Sequence, residues 1–304
     1  MNAEALEFTA DDGTRLHGTL TMPGSSDAVP AALLLSGSGP LDRDSNIPGQ
    51  VLNVGNALAS ALAAHGVASL RFDKRGVGRS SGDYLTTGFE QETRDAAAAL
   101  AALRRGSGID RSRLTVIGHS VGATVAMRLA SRNQWLAGVV LLSATIQSGA
   151  KVMRWQSERI AASLRWPSRL FRGRFLRRQE HVRQLLLAST EEVVRIGSTE
   201  LPARWFREYM AHDPTADLRA IPCPVLAITG RMDVQVDPDD VARIGEQAGA
   251  GFSGETPETL THLLRRHPGP PGLAAYRAQL KQPVDLELLE RVAAWTSSVR
   301  PSGA

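Results

Sequence analysis

Residues 114–130 read Leu-Thr-Val-Ile-Gly-His-Ser-Val-Gly-Ala-Thr-Val-Ala-Met-Arg-Leu-Ala. The β-branched apolar run Leu114 to Ile117 stops at Gly118-His119-Ser120-Val121-Gly122, and an Ala-rich helical pattern starts at once. Strand, G-x-S-x-G turn and helix in that order predict a nucleophile elbow. So tight a turn forces Ser120 into a strained backbone conformation and raises its hydroxyl above the sheet edge. A side chain two residues before or after it would collide with the neighbouring strand or helix, which explains Gly118 and Gly122. The following helix aims its free N–H groups at the oxygen that becomes negative during acyl transfer. In a chain with 28 glycines the motif alone is a modest signal. Its flanking strand and helix set it apart from a plain glycine-bounded turn.

Outward from the elbow the pattern alternates. Phe8 to Thr9 and Leu16 to Thr21 flank Asp11-Asp12-Gly13, a hairpin turn signal. Ala31 to Leu35 and Val67 to Phe72 are short apolar strands, and Gly138 to Leu142 is another. Helical spacing runs over Val51 to Ala64, Glu90 to Leu103 and Ala123 to Ser131. Strands alternating with helices imply βαβ units and a mostly parallel, twisted α/β sheet. From about Ile146 to Asp213 no strand signal appears, and the stretch is rich in Arg, Leu, Trp and Phe. Alternation returns at Val225 to Thr229, followed by a helix over Asp239 to Gln247 and a closing helix over Leu286 to Trp295. Gly249 to Pro257 is glycine-rich, and an edge strand expected there is weakly marked. The domain reading is therefore a core of residues 1–145 and 214–304, with a helical cap of 146–213 inserted between two strands.

The bulk numbers fit a soluble globular protein: 304 residues, 42% hydrophobic and 22% charged. No apolar run reaches the length of a membrane span, and no basic segment followed by an apolar stretch opens the chain. Cys223 is the one cysteine, so intramolecular disulfides are excluded and a cytoplasmic location is expected. Flanked by Pro222 and Pro224, Cys223 reads as a small buried apolar residue. The net charge of +4 is unevenly spread. Residues 151–183 hold ten Lys or Arg, Arg165 among them, against Glu158 and Glu180, so the remainder of the chain is acidic.

A serine nucleophile needs a base, and the base needs an orienting carboxylate. In open α/β sheets such groups collect at the carboxyl ends of strands. Asp233 lies four residues beyond the strand ending at Thr229. Asp237, Asp239 and Asp240 fit helix capping beside Pro238 better. Downstream of Asp233 only His262 and His267 remain. His262 sits in the apolar setting Leu260-Thr261-His262-Leu263-Leu264, whereas His267 reads as an exposed loop residue. His119 is expected to project away from the serine, as a packing or substrate-contact residue. His17, His65, His181 and His212 read as structural or solvated. No histidine pair has metal spacing, so no metal is expected. For the oxyanion, the Val121 N–H supplies one donor. The loop Ser36-Gly37-Ser38-Gly39 supplies the other, with Ser38 first and Gly39 next. Gly76-Val77-Gly78-Arg79-Ser80 lacks a phosphate-loop pattern and reads as a tight turn.

With these pieces in order the chain resembles the α/β-hydrolase superfamily, and within it bacterial esterase and serine-aminopeptidase-like members with an inserted cap. The resemblance rests on Ser36 to Asp44, Arg71 to Ser80, Gly118 to Gly122, Thr229 to Val236 and the region around His262, in the order Ser, Asp, His. It departs at Thr261, where relatives often carry Asn. It implies a serine hydrolase without cofactor, commonly a carboxylesterase. A thioesterase, a lysophospholipase or an aminopeptidase would use the same apparatus, and a non-catalytic binding protein on the same scaffold is the alternative from another class. The substrate expected is a small acyl ester. The basic cap, with Trp155, Trp166, Trp205, Phe171 and Phe175, suits an anionic substrate or a membrane surface. A solvated helical face is the plainer reading there, and no motif for nucleic-acid binding accompanies the charge.

Overall fold

The computed structural model describes residues 1–25, 27–164 and 166–300; Arg165 of the basic segment lies outside them. The chain opens on a hairpin, β1 (Asn2–Thr9) and β2 (Arg15–Met22), followed by β3 (Val29–Leu35), α1 (Val54–Ala64), β4 (Ala68–Phe72) and α2 (Phe89–Arg105). β5 (Ile109–His119) leads through Ser120 into α3 (Val121–Arg132), and β6 (Gly138–Leu142) follows. Then come α4 (Gly149–Ser163), a short 3-10 turn (Ser168–Phe171), α5 (Arg172–Ala188), β7 (Val194–Ile196), β8 (Thr199–Leu201) and α6 (Ala203–Ala211). The chain re-enters the core with α7 (Thr215–Arg219), β9 (Val225–Ile228), α8 (Asp240–Gln247), β10 (Phe252–Glu255), α9 (Tyr276–Gln279) and α10 (Leu286–Ser298).

Eight strands form one sheet in the order β1-β2-β4-β3-β5-β6-β9-β10. Only β1–β2 and β2–β4 pair antiparallel; the rest are parallel. The period-two alternation of each strand feeds two cores. On one face Ala31, Leu33 and Leu35 of β3 join Leu114 and Val116 of β5 under α2 and α3. On the other, Ala32, Leu34 and Ile117 lie under Leu58 and Leu62 of α1 and Val292 of α10. A sheet covered on both faces explains why these strands read as continuous apolar runs.

Two elements differ from the sequence expectation, and the weakly marked edge strand is present. β5 begins at Ile109 rather than Leu114, because Ile109 pairs with Val29 before an irregularity takes up the polar residues 110–113. The weak edge strand is present as β10, which pairs in parallel register with β9 from Phe252–Val225 to Glu255–Ile228. Its glycines are accommodated because Gly254 lies against the Phe252 ring and Val241. Within 146–213, expected to lack strands, β7 and β8 form a hairpin around Gly197, whose φ is 64°. At three residues each, these strands are too short for the alternation that marks a strand in sequence.

Asp240 is also not the cap residue expected. It is fully buried and accepts hydrogen bonds from Thr145 Oγ1 (2.7 Å), Gln147 Nε2 (3.3 Å) and Arg243 (2.6 Å), tying the segment after β6 to α8. Asp239 stands at the N-cap of α8 without a side-chain cap bond, and Asp237 accepts its N–H at 3.2 Å in the turn before the helix. Cys223 is buried, and burial pushes its thiol up to about 11, so it stays a protonated apolar residue.

Candidate active site

The elbow is built as its sequence requires. Ser120 has φ 56° and ψ −124°, outside the regions an L-residue ordinarily adopts. Its N–H donates to Leu142 O at 2.8 Å, which holds the turn against the end of β6. A Cβ on Gly118 would lie 2.2 Å from Gly122 O, and one on Gly122 2.3 Å from Leu35 O. Any side chain at either place would separate β5 from α3 or α3 from β3. Ser120 is thereby raised over the carboxyl ends of β5 and β6, with the N-terminus of α3 directly behind it. The Val121 N–H belongs to the first residue of α3, so it has no acceptor within the helix.

Asp233 sits beyond the end of β9, completely buried. It accepts the backbone N–H groups of Gln235 (2.8 Å) and Val236 (2.9 Å), and His262 Nδ1 lies 2.9 and 3.1 Å from its two oxygens. Burial works against the charged carboxylate. The His262 ring and the two N–H groups outweigh it and hold the acid below the usual carboxylate range. With Nδ1 bound to an acceptor that stays ionised, the imidazole keeps its proton there and presents Nε2 as a base.

The loop carrying His262 is fastened at several points. Leu260 O accepts the Met232 N–H (3.1 Å). Thr261 is buried with Oγ1 3.0 Å from both Arg265 O and Gln279 Oε1. The Arg265 guanidinium reaches the carbonyls of Leu263 and Leu52. His119, the residue before the serine, donates Nε2–H to His262 O at 2.9 Å, and the two rings are 5.1 Å apart. The loop is thus docked on the residue adjoining Ser120. Among the described residues Ser120 Oγ makes no hydrogen bond, to His262 or elsewhere. Such contacts are often loose without substrate and tighten when it binds.

His119 is buried, does not line the cavity described below, and bonds to the His262 loop. Burial first, and the neighbouring His262 next, lower its pKa to about 3 from 6.5. Between those values the unfolded chain binds a proton at residue 119 that the folded chain refuses. Stability therefore falls as the pH falls, by about 1.4 kcal/mol per unit. Equilibrium denaturation of the parent and His119→Gln across pH 4 to 6 should give curves that diverge with that slope, the variant gaining relative to the parent in acid. Parallel curves would refute this account of His119.

Beside Ser120 runs the loop expected to hold the oxyanion. A Cβ on Gly37 would come within 3.2 Å of Ser120 Cβ, so glycine lets the loop approach this closely. Ser38 and Gly39 line the same cavity as Ser120. Sequence reading missed what holds this loop. Buried Lys74, at the end of β4, donates to Gly37 O at 2.6 Å and forms an ion pair with Glu92 of α2. Glu92 in turn accepts Trp205 Nε1–H from α6 at 2.7 Å. Loss of either charge would strand the other in the interior. Tyr84 was missed as well: its hydroxyl meets the Gly39 backbone N–H, and burial pushes its pKa up. Nothing local marks either residue, since each depends on elements far apart in sequence. The stretch Asp73 to Ser80 is the tight turn expected, with Asp73 gripping Arg43 and the Arg79 N–H (3.0 Å).

Ser120 opens into a cavity of about 450 Å³. Val152 and Met153 of α4, Leu201 and Pro202 of the hairpin region, and Trp205, Phe206 and Tyr209 of α6 form much of its wall. Trp205 and Tyr209 stack with centroids 4.9 Å apart. Polar groups are few. Gln235 is held by Gln156 and the Tyr276 hydroxyl at 2.9 Å each, and Ser143 Oγ is buried without a partner. Glu200 is the one charged residue of the lining, and Arg195 engages it. No Lys or Arg side chain among the described residues lines this space. His17 and His65 pair with Glu7 and Glu290, and His212 packs against Phe89, all away from Ser120. Among the described residues no group of three or more His, Cys, Asp or Glu side chains could hold a metal ion.

The family model of serine aminopeptidases, S33, matches residues 51–265, most of the chain, with Ser120, Asp233 and His262 inside the match and the Ser36–Gly39 loop before it. The chain belongs to that family. Among similar proteins, Esterase EstD of Thermotoga maritima is 29% identical over 226 residues, covering 74% of this chain and 52% of EstD. The protein YfhR of Escherichia coli is 28% identical over 172 residues, half of each chain. This S33 chain therefore spans about half the length of the curated relatives it matches. Its fold is that of α/β-hydrolases. The α/β-hydrolase GrgF of Penicillium superposes with a TM-score of 0.66 over 99% of both chains at 16% identity. The esterase Pf2001 of Pyrococcus furiosus superposes at 0.63 over 98% of this chain and 91% of its own, at 18% identity. No helix among the described residues is long and apolar enough to cross a membrane.

Proposed function

We propose that this protein hydrolyses carboxylic esters with an uncharged, apolar acyl or aryl group, through an acyl-enzyme on Ser120. The observation that carries the proposal is the ionised Asp233 fixing His262 by Nδ1, in a loop docked beside a strained serine at an apolar cavity. Ser120 Oγ attacks the carbonyl carbon while His262 Nε2 takes its proton. The negative oxygen is received by the Val121 N–H and an N–H of the Ser38-Gly39 segment, aided by the α3 dipole. His262 then gives its proton to the departing alcohol. Water, deprotonated by the same nitrogen, cleaves the acyl-enzyme and returns Ser120.

The lining favours esters over aminopeptidase substrates. An aminopeptidase must hold a free α-ammonium, and the one carboxylate of this wall is already paired with Arg195. The name of the relative EstD points the same way. A cavity of about 450 Å³ suits a small molecule. Para-nitrophenyl esters of increasing chain length, assayed beside aminoacyl anilides, should show turnover of esters with a medium-chain optimum and none of the anilides. Hydrolysis of anilides without esters would overturn the substrate class.

A further inference from the structure

The exposed tip of the cap is apolar. Trp166, Leu170 and Phe171, in the turn between α4 and α5, are 72%, 70% and 62% exposed, and no other Trp, Tyr or Phe among the described residues is exposed. The chain passes from this tip straight into α5, where Arg172, Arg174, Arg177 and Arg178 are exposed, as is Arg169 within the turn. Residues three and four apart share a helix face, so Phe171, Arg174 and Arg178 project together. The acid of α5, Glu180, sits farther along and is taken up by Arg183 and Arg154. Among the described residues, no carboxylate comes within ion-pair distance of the five arginines at the tip. The cap's cationic charge thus surrounds an apolar tip and is kept out of the substrate cavity.

We propose that this tip docks the protein on an anionic lipid surface. A tryptophan, a leucine and a phenylalanine flanked by guanidinium groups match the two layers of such a surface: apolar rings enter the acyl boundary while the cations meet phosphate headgroups. A protein partner of ordinary composition would offer acids to the arginines but no reason for a projecting tip. A lipid surface supplies both, and each arginine near it multiplies affinity by about fivefold at low salt. The helix leading into the tip, α4, carries Val152 and Met153 of the cavity wall. Docking would therefore hold part of that wall at the membrane.

The test reads binding, not hydrolysis, so it stands apart from the catalytic reading. The full chain is sedimented with phosphatidylcholine vesicles and with the same vesicles containing phosphatidylglycerol, at low and high salt. Binding to the anionic vesicles, weakened by salt, is expected, with about tenfold or weaker binding to the neutral ones. The triple variant Trp166→Ser, Leu170→Ser, Phe171→Ser and the double variant Arg174→Glu, Arg178→Glu should each lose at least about tenfold, with unchanged thermal midpoints because the residues are exposed. Equal binding to both vesicle types, binding to neither, or binding retained by both variants would overturn the proposal. So would a dimer of the parent that the triple variant dissociates, since the tip would then serve a second copy.

Discussion

Replacing Ser120 by alanine is expected to lower kcat/KM toward a p-nitrophenyl ester by about 10⁴-fold or more, at an unchanged thermal midpoint. The size follows from the loss of the nucleophile, which removes the acyl-enzyme route altogether. What survives is the modest acceleration from binding and from the oxyanion donors, which the substitution does not touch. The absence of a stability cost follows from the structure. The strained φ of 56° belongs to the turn, held by Leu142 O and by the close approach of Gly118 and Gly122, and Ser120 Oγ holds nothing in place. A loss below about tenfold would place the chemistry on another residue.

Asp233→Asn is expected to cost about 10⁴-fold in kcat with KM little changed. The asparagine side chain has nearly the same shape, and its oxygen can still accept the N–H groups of Gln235 and Val236. Its amide N–H, however, faces His262 Nδ1, where the carboxylate had accepted. The imidazole must then carry its proton on Nε2 and can no longer take one from Ser120. The parent carboxylate, held below its usual range, is ionised throughout the neutral region, so no rise in pH restores the variant. Activity within about tenfold of the parent would mean that the Asp233–His262 contact is structural only.

The parts legible in the sequence are those whose physics is local. The elbow requires glycines at 118 and 122 because strand, turn and helix meet within a few residues, and the clash distances at both positions bear this out. The sheet showed itself because strands such as β3 are buried on both faces and read as apolar runs. Asp233 and His262 could be ranked by their place after strands and their apolar neighbours. What escaped depends on distant elements meeting. The Lys74–Glu92–Trp205 chain joins the end of β4, α2 and α6, and no spacing links those positions. β10, expected but weakly marked, forms because β9 offers it a partner, against its own glycines. The bond from His119 to His262 O could not be read from the sequence, because it joins residues 143 positions apart. Asp240 reads as a cap from its neighbours, yet the segment after β6 claims it.

Mass spectrometry after reaction with a fluorophosphonate tests the central claim most directly, since that reagent phosphonylates a serine only where a base has activated it. One adduct on the peptide containing Ser120, slowed in Asp233→Asn and absent in Ser120→Ala, is the expected result. An unmodified parent, or an adduct that persists at full rate in Ser120→Ala, would contradict an acyl-transfer site at this elbow.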